Sequence, residues 1–191
     1  MIIELCKSGI PVAAKYRLLQ TVFYCHEQAA RHNQNASNEM VGIAAVCSGD
    51  FTKSVIAGLS ALGDAHGPIT AARQAIYCFS AEDRKAKLYD GWKVPGWGNS
   101  FYKTSIDPAW ERMEELVADF YPVEAQRLEA ISAEIKQATN RTLYPNAAAF
   151  TAVAAEILGI PAGVEAVLFL IPRLPVWAEI YDQARKKGKN G

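Results

Sequence analysis

Neither sign of charge prevails in this sequence: twenty Lys and Arg face twenty Asp and Glu. A protein that neutralises phosphates needs a basic surplus, so nucleic acid and anionic membranes are not expected partners. Cysteine is scarce and scattered. Cys6, Cys25, Cys47 and Cys78 form no C-x-x-C pair, which removes the common zinc spacings and a disulfide framework. No metal is expected, and three of the four thiols, standing in apolar helical contexts, read as buried. The chain does not open on a charged n-region followed by an apolar h-region. No run approaches the roughly 20 apolar residues that span a bilayer. Residues 164–171 are apolar but are cut short by Pro172 and Pro175. The expected setting is cytoplasmic. Strand alternation is also missing. Apolar residues recur at helical spacing almost throughout, which predicts an all-α protein. Its 191 residues suffice for one domain with a real core, in which residues 80–140 form a candidate small lobe. The basic tail of Arg185, Lys186, Lys187 and Lys189 reads as a frayed, solvated end.

What the sequence does hold centres on residues 57–79. An apolar run of small residues meets Gly63, which can stop a helix in the left-handed region. Asp64, Ala65, His66 and Gly67 follow, and Pro68 suits the first turn of a second helix. His66 is thereby placed at a helix entrance. The positive end of the helix disfavours an imidazolium there, so a neutral ring is available to donate to a carbonyl that becomes an enolate. A lone His at a helix start also serves as a cap or a packed side chain. Asp64 either caps the helix at Pro68 or stands as a base.

Helices are predicted on either side. Pro11 opens one that runs to about His32 and carries Tyr16, Leu19, Val22 and Phe23, with His26 on its surface. Ser37 caps the next, over 37–47, and Asp50 caps the one bearing Val55, Leu59 and Leu62. Ser80 with Asp83 resembles a capping box opening a short charged helix. From 89 to 106 the pattern fails: Gly91, Pro95, Gly96 and Gly98 alternate with Trp92, Trp97, Phe101 and Tyr102. Such loops often build ligand sites, or are anchored to the core by their aromatics. Asp107 and Pro108 start a helix with Trp110, Met113 and Val117 on one face. Leu128, Ile131 and Ile135 make the stripe of another over 123–138. Ala147–Leu158 is a small-residue helix ended by Gly159, Pro161 opens the next, and Trp177 and Tyr181 lie on the last helix. Arg173 follows an apolar run, so it is either paired or binds an anion. The helices 37–47 and Ala147–Leu158 are rich in Ala and Gly and have narrow polar faces, which predicts burial on more than one side and self-association.

Read in order, several of these stretches resemble motifs of the citrate synthase superfamily. His32-Asn33-Gln34-Asn35-Ala36-Ser37 resembles His-Glu-Gln-Asn-Ala-Ser, and 57–67 resembles the run ending in Pro-x-His-Gly. Val94-Pro95-Gly96-Trp97-Gly98-Asn99 resembles a Gly-aromatic-Gly-His loop, and Asp107-Pro108 resembles Asp-Pro-Arg. Leu143-Tyr144-Pro145-Asn146 resembles Tyr-Pro-Asn-Val-Asp. Gly159-Ile160-Pro161 and the Phe169–Arg173 segment resemble the closing Gly-Ile-Pro and Phe-Ala-x-x-Arg. The likeness covers residues 32–181 and only the later half of a usual member, so the family's N-terminal region is expected to be missing.

The resemblance implies a compact helical bundle, a homodimer joined by packed helix pairs, and chemistry on acetyl-CoA with oxaloacetate or on citryl-CoA. A CoA thioester would be a co-substrate, with no permanently bound cofactor. His66 matches the enolate-stabilising histidine, His32 a substrate-binding histidine, and Arg173 an arginine holding a substrate carboxylate. Val94, Pro95, Gly96, Trp97, Gly98 and Lys103 fall where the family meets CoA. Three departures stand out: Asn99 replaces the ketone-polarising histidine, Ala148 the catalytic aspartate, and Ala109 the Arg of Asp-Pro-Arg. Asn99 can still donate a hydrogen bond, whereas Ala148 can move no proton. Two outcomes follow. The chain is an acyl-CoA carbon–carbon bond enzyme with a changed site. Alternatively it is an inactive homologue that acts as a dimeric scaffold, a regulator of a full-length homologue, or a CoA- and carboxylate-binding protein.

Overall fold

The computed structural model describes residues 10–32, 35–62 and 67–189. Among them there is no β-strand, and nine α-helices with one 3-10 turn carry the fold. The first, α1 (Val12–His32), starts where the Pro11 carbonyl accepts from the Ala14 and Lys15 amides. It buries Leu18, Val22, Cys25 and Ala29, a stripe at helical spacing. In α2 (Ala36–Ser48) the cap is Asn35, whose side chain accepts from Asn38 N. Ser37, expected as the cap, lies inside the first turn and donates to Asn35 Oδ1 at 2.6 Å. Gly49 at φ 65° closes α2, and Asp50 caps α3 (Phe51–Ser60) as expected.

The next helix, α4 (Ile69–Tyr77), begins later than predicted, with Pro68 in the cap position. Gly63, Asp64 and His66 lie outside the described residues. The capping box of Ser80 and Asp83 is present at the head of α5 (Ala81–Tyr89). Asp107 accepts from Ala109 N and starts the 3-10 turn Pro108–Trp110, which runs into α6 (Glu111–Phe120). Trp110, Met113 and Val117 are buried, and so are Leu128, Ile131 and Ile135 of α7 (Pro122–Thr139). Asn146 caps α8 (Ala147–Leu158), and Gly159 at φ 71° closes it.

The last helix corrects two expectations. Pro161 lies in a turn rather than at a helix start, and α9 (Ala166–Lys189) runs through both Pro172 and Pro175. Each proline removes a helix hydrogen bond. Burial of Leu168, Phe169, Val176 and Trp177 on either side of them holds the helix in place.

At the centre lies α8, buried along its length except at half-buried Ala147 and exposed Glu156. It packs on α1 and α4, while α9 packs on α1, α2 and α3, and α5 packs on α7. Burying Phe150, Val153, Ile157 and Leu158 contributes about 1.5–3 kcal/mol each before entropy is counted. Arg73 of α4 clips the α8–α9 connection. It holds Glu156 at 2.7 Å, Glu165 at 3.0 Å and the Ile160 carbonyl at 2.7 Å. That clip fixes where α9 begins, and so where Phe169 and Arg173 stand. The small-residue helices differ from expectation in one respect: α8 is enclosed within the single chain, whereas α2 leaves Met40, Ile43 and Val46 exposed. The thiols differ as well. Cys25 is buried, and burial pushes it up to about 12, but Cys47 and Cys78 are exposed.

Candidate functional site

A glycine-bent wall divides two cavities. Gly96 and Gly98 adopt φ of 90° and 85°, which L side chains rarely do. Their loop is laced to the segment before α8. Gly98 N donates to the Tyr144 carbonyl at 2.9 Å, Asn146 N to the Gly96 carbonyl at 2.8 Å, and Asn146 Nδ2 to the Gly98 carbonyl at 2.7 Å. Trp97 adds an anchor from Nε1 to Ser132 Oγ at 2.9 Å. A Cβ on Gly96 would stand 3.0 Å from Ala149 Cβ and 3.1 Å from its backbone N, so the wall lies directly on α8. Val94, Trp97, Gly98 and Asn99 line both cavities, while Pro95 and Gly96 face the inner one.

The outer cleft, of about 710 Å³, combines Lys93, Lys103 and Arg141 with Trp92, Tyr102 and Leu143. Cations beside aromatic and aliphatic side chains suit a ligand that carries phosphate at one end and a flat apolar ring at the other.

The inner cavity, of about 700 Å³, is bounded by the first turns of α2, α4 and α8 together with Trp110, Phe169 and Arg173. Three helix N-termini bring partial positive charge to one place. Arg173 is 4% exposed, its Nε and Nη1 have no partner, and no carboxylate pairs with it among the described residues. Its Cζ lies 3.8 Å above the Phe169 ring. Burial lowers its pKa to about 10, which leaves it charged at neutral pH. A sealed cation beside three helix N-termini is an anion site in its chemistry.

His26 corrects the sequence reading. Expected on the surface, it is 1% exposed and lines this cavity. Nε2 lies 2.9 Å from Thr151 Oγ1, and Nδ1 has no partner. Trp110 and Phe169 hold the ring edge-on at 4.8 Å and 5.3 Å between centroids. Burial first, and the Arg173 charge second, hold its pKa well below the ordinary histidine range. The signal for its burial was present: His26 stands four residues after Val22 and four before Ala30, both buried.

The other expected residues are distributed unevenly. Arg173, Asn99 and the 94–98 loop converge on the inner cavity. Asn99 Oδ1 accepts from Phe101 N at 2.8 Å and Tyr102 N at 3.4 Å, which commits that oxygen to the loop. Lys103 opens on the outer cleft only. His32 is exposed and borders a separate groove with Tyr24, Ala109 and Arg112, away from Arg173. Ala148, buried in the first turn of α8, lines the inner cavity and brings no carboxylate to it; the carboxylate on that lining is Asp107. His66 is outside the described residues.

Comparisons with known proteins agree with this architecture. The family described as citrate synthase, C-terminal domain matches residues 2–189. Among solved structures, the citryl-CoA lyase of Hydrogenobacter thermophilus is similar with a TM-score of 0.77 at 22% identity, over 96% of this chain and 74% of that one. The citrate synthase of Thermotoga maritima MSB8 gives 0.73 at 23% identity, over 88% of this chain and 49% of that one. A citrate synthase of Thermoplasma acidophilum, solved in ternary complex with carboxymethyl coenzyme A and oxaloacetate, gives 0.67 at 20% identity, over 92% and 50%. The chain thus spans about half the length of these two citrate synthases. At such identities the likeness is one of fold.

Proposed function

The chain belongs to the citrate synthase family, and from that membership we propose that it binds a small carboxylate in the inner cavity and a CoA thioester in the outer cleft. There it makes or breaks a carbon–carbon bond next to the thioester, through a site without the family's carboxylate base. The observation that carries this reading is Arg173, a buried guanidinium with unpartnered N–H groups on a cavity ringed by helix N-termini. A carboxylate would give those donors two oxygens in the geometry they fit. Lys93, Lys103 and Arg141 supply charge for phosphates in the cleft across the wall. The relative from Thermoplasma acidophilum, which holds a CoA analogue together with oxaloacetate, supports the pairing of ligands. His66 is assigned the enolate-stabilising role and Asn99 the donor role toward the ketone, through its amide nitrogen. His32, on its separate groove, is given no part.

A second reading, binding without turnover, is favoured by Ala148. General-base assistance contributes about two to four powers of ten in rate, and no side chain at that position supplies it. The wall, the cleft and Arg173 then make a sensor or scaffold for the same ligands. In either case the chain is proposed to act as a homodimer or with a longer homologue.

Two measurements separate these readings. Thermal denaturation with oxaloacetate or citrate is expected to show ligand-dependent stabilisation that disappears in Arg173→Met. No stabilisation by any carboxylate would overturn the carboxylate site. A thiol-release assay with acetyl-CoA and a series of 2-oxo acids then decides turnover. Release above background that depends on His66 supports the enzyme, and its absence in protein that binds both ligands supports the sensor.

A further inference from the structure

We propose that His26 reads the hydroxyl of the bound molecule. The inner cavity then selects a 2-hydroxycarboxylate over the corresponding 2-oxo acid, with the carboxylate on Arg173 and the hydroxyl donating to His26 Nδ1. This rests on the carboxylate site proposed above and adds a residue and a ligand class to it.

The argument begins with a single hydrogen atom. Thr151 has one hydroxyl proton, and it is donated to the Ala147 carbonyl at 2.6 Å, within α8. The same oxygen lies 2.9 Å from His26 Nε2 and has only lone pairs left to offer. Nε2 therefore carries the ring proton and donates. In a neutral imidazole the other nitrogen is then a bare acceptor. That nitrogen, Nδ1, is buried and unpartnered, and the nearby Arg173 cation opposes a second proton on it.

The ring cannot turn away. Trp110 meets it at 88° between planes and Phe169 at 71°. Phe169 also supports Arg173 on its face, so one aromatic side chain sets the separation of the two polar groups. The cavity wall thus holds Arg173 donors that no acceptor meets and a His26 acceptor that no donor meets. Buried polar groups left without partners are costly, and a ligand that satisfies both is favoured over one that satisfies a single group. A simple carboxylate satisfies Arg173 alone. A 2-oxo acid, whose ketone is assigned to the Asn99 amide, brings no donor to Nδ1. A 2-hydroxycarboxylate carries an anion and an O–H donor on adjacent carbons, and it meets both needs.

The test uses the whole chain and two probes that differ at one oxygen, malate and oxaloacetate, measured by isothermal titration calorimetry. Malate is expected to bind about tenfold more tightly, and in His26→Phe the affinity ratio is expected to fall to near one. Equal affinities in the wild type, or a ratio unchanged in His26→Phe, would overturn the assignment. If neither probe binds, the carboxylate site itself fails. If both bind equally and both depend on Arg173, only the role of His26 fails. A second measurement does not depend on a substitution that could unfold the core. Nitrogen-15 spectra of the three imidazoles are expected to show one with a protonated Nε2 and a bare Nδ1 that shifts on malate binding. A proton on Nδ1 of that ring would refute the proposal.

Discussion

A guanidinium sealed from water without a counter-charge weakens the fold that holds it, because desolvation is not repaid by a partner. Among the described residues, Arg173 is in that position, with no carboxylate paired to it. Arg173→Met, which keeps the stem and removes the charge, is expected to stabilise the free protein by about 1–3 kcal/mol. For a chain of this size that corresponds to roughly 2–4 °C in Tm per kcal/mol, read by calorimetry. A lower Tm would mean that the charge is already satisfied in the free protein. His26 makes a prediction of opposite origin. Its pKa in the fold lies well below the ordinary value, so the folded state keeps the ring neutral. Below about pH 6.5 the unfolded chain takes up a proton that the folded chain refuses. Stability is therefore complete above that pH and is lost as pH falls, with a slope of up to about 1.4 kcal/mol per pH unit from this one group. Urea denaturation between pH 7.5 and 5 should show the slope in wild type and a shallower one in His26→Phe. These two residues were unequally legible. Arg173 was visible as a charge after an apolar run. His26 lies on the Val22–Ala30 side of α1, where helical phase rather than side-chain polarity decides its burial. His32, six residues further on, points about 120° away around the helix, which is why the two histidines face different cavities.

At the scale of elements, local chemistry was the most readable part. Asp50, the Ser80–Asp83 box and Gly159 act as their side chains and backbone freedom require. Two features were not readable locally. One is α9, where tertiary burial overrides two prolines. The other is the wall, since nothing in the order of residues 94–99 says that Gly96 rests on Ala149. That approach can be tested against a built-in control. Gly96 and Gly91 have nearly equal φ, 90° and 84°, but a Cβ on Gly91 meets nothing within 4 Å. Gly91→Ala should cost only backbone strain, about 1 kcal/mol. Gly96→Ala should cost about 2–4 kcal/mol, because strain is joined by overlap with α8. Urea midpoints measure both, and equal losses would show that the wall is held by its hydrogen bonds rather than by contact. The base position offers a gain instead of a loss. Ala148 sits in the first turn of α8, where a carboxylate is favoured by the helix N-terminus. If the site turns over, Ala148→Asp is expected to raise thiol release about a hundredfold. An unchanged rate would favour binding without chemistry.

Among the described residues, α2 carries an apolar face that the neighbouring helices leave exposed. α2 and α3 pack on each other and on α9, with Gly58 letting Val41 and Trp177 approach closely. On α2 the residues Met40, Ile43 and Val46 stand three apart, at 40%, 58% and 53% exposure, beside the exposed thiol of Cys47. Such an apolar stripe on a helix is a surface normally covered by another element. The packed helix pairs implied by the family resemblance make a second copy of the chain the proposed cover. A two-fold dimer would bring each stripe against its mate, so one substitution acts twice in every interface. Ile43→Lys is therefore expected to convert a micromolar dimer to a monomer in sedimentation equilibrium while leaving the helical circular dichroism unchanged. Because association stabilises by mass action, the wild-type Tm should rise with protein concentration and that of Ile43→Lys should not. If wild type and variant sediment alike, as monomers or as dimers, α2 is not the interface between copies of this chain.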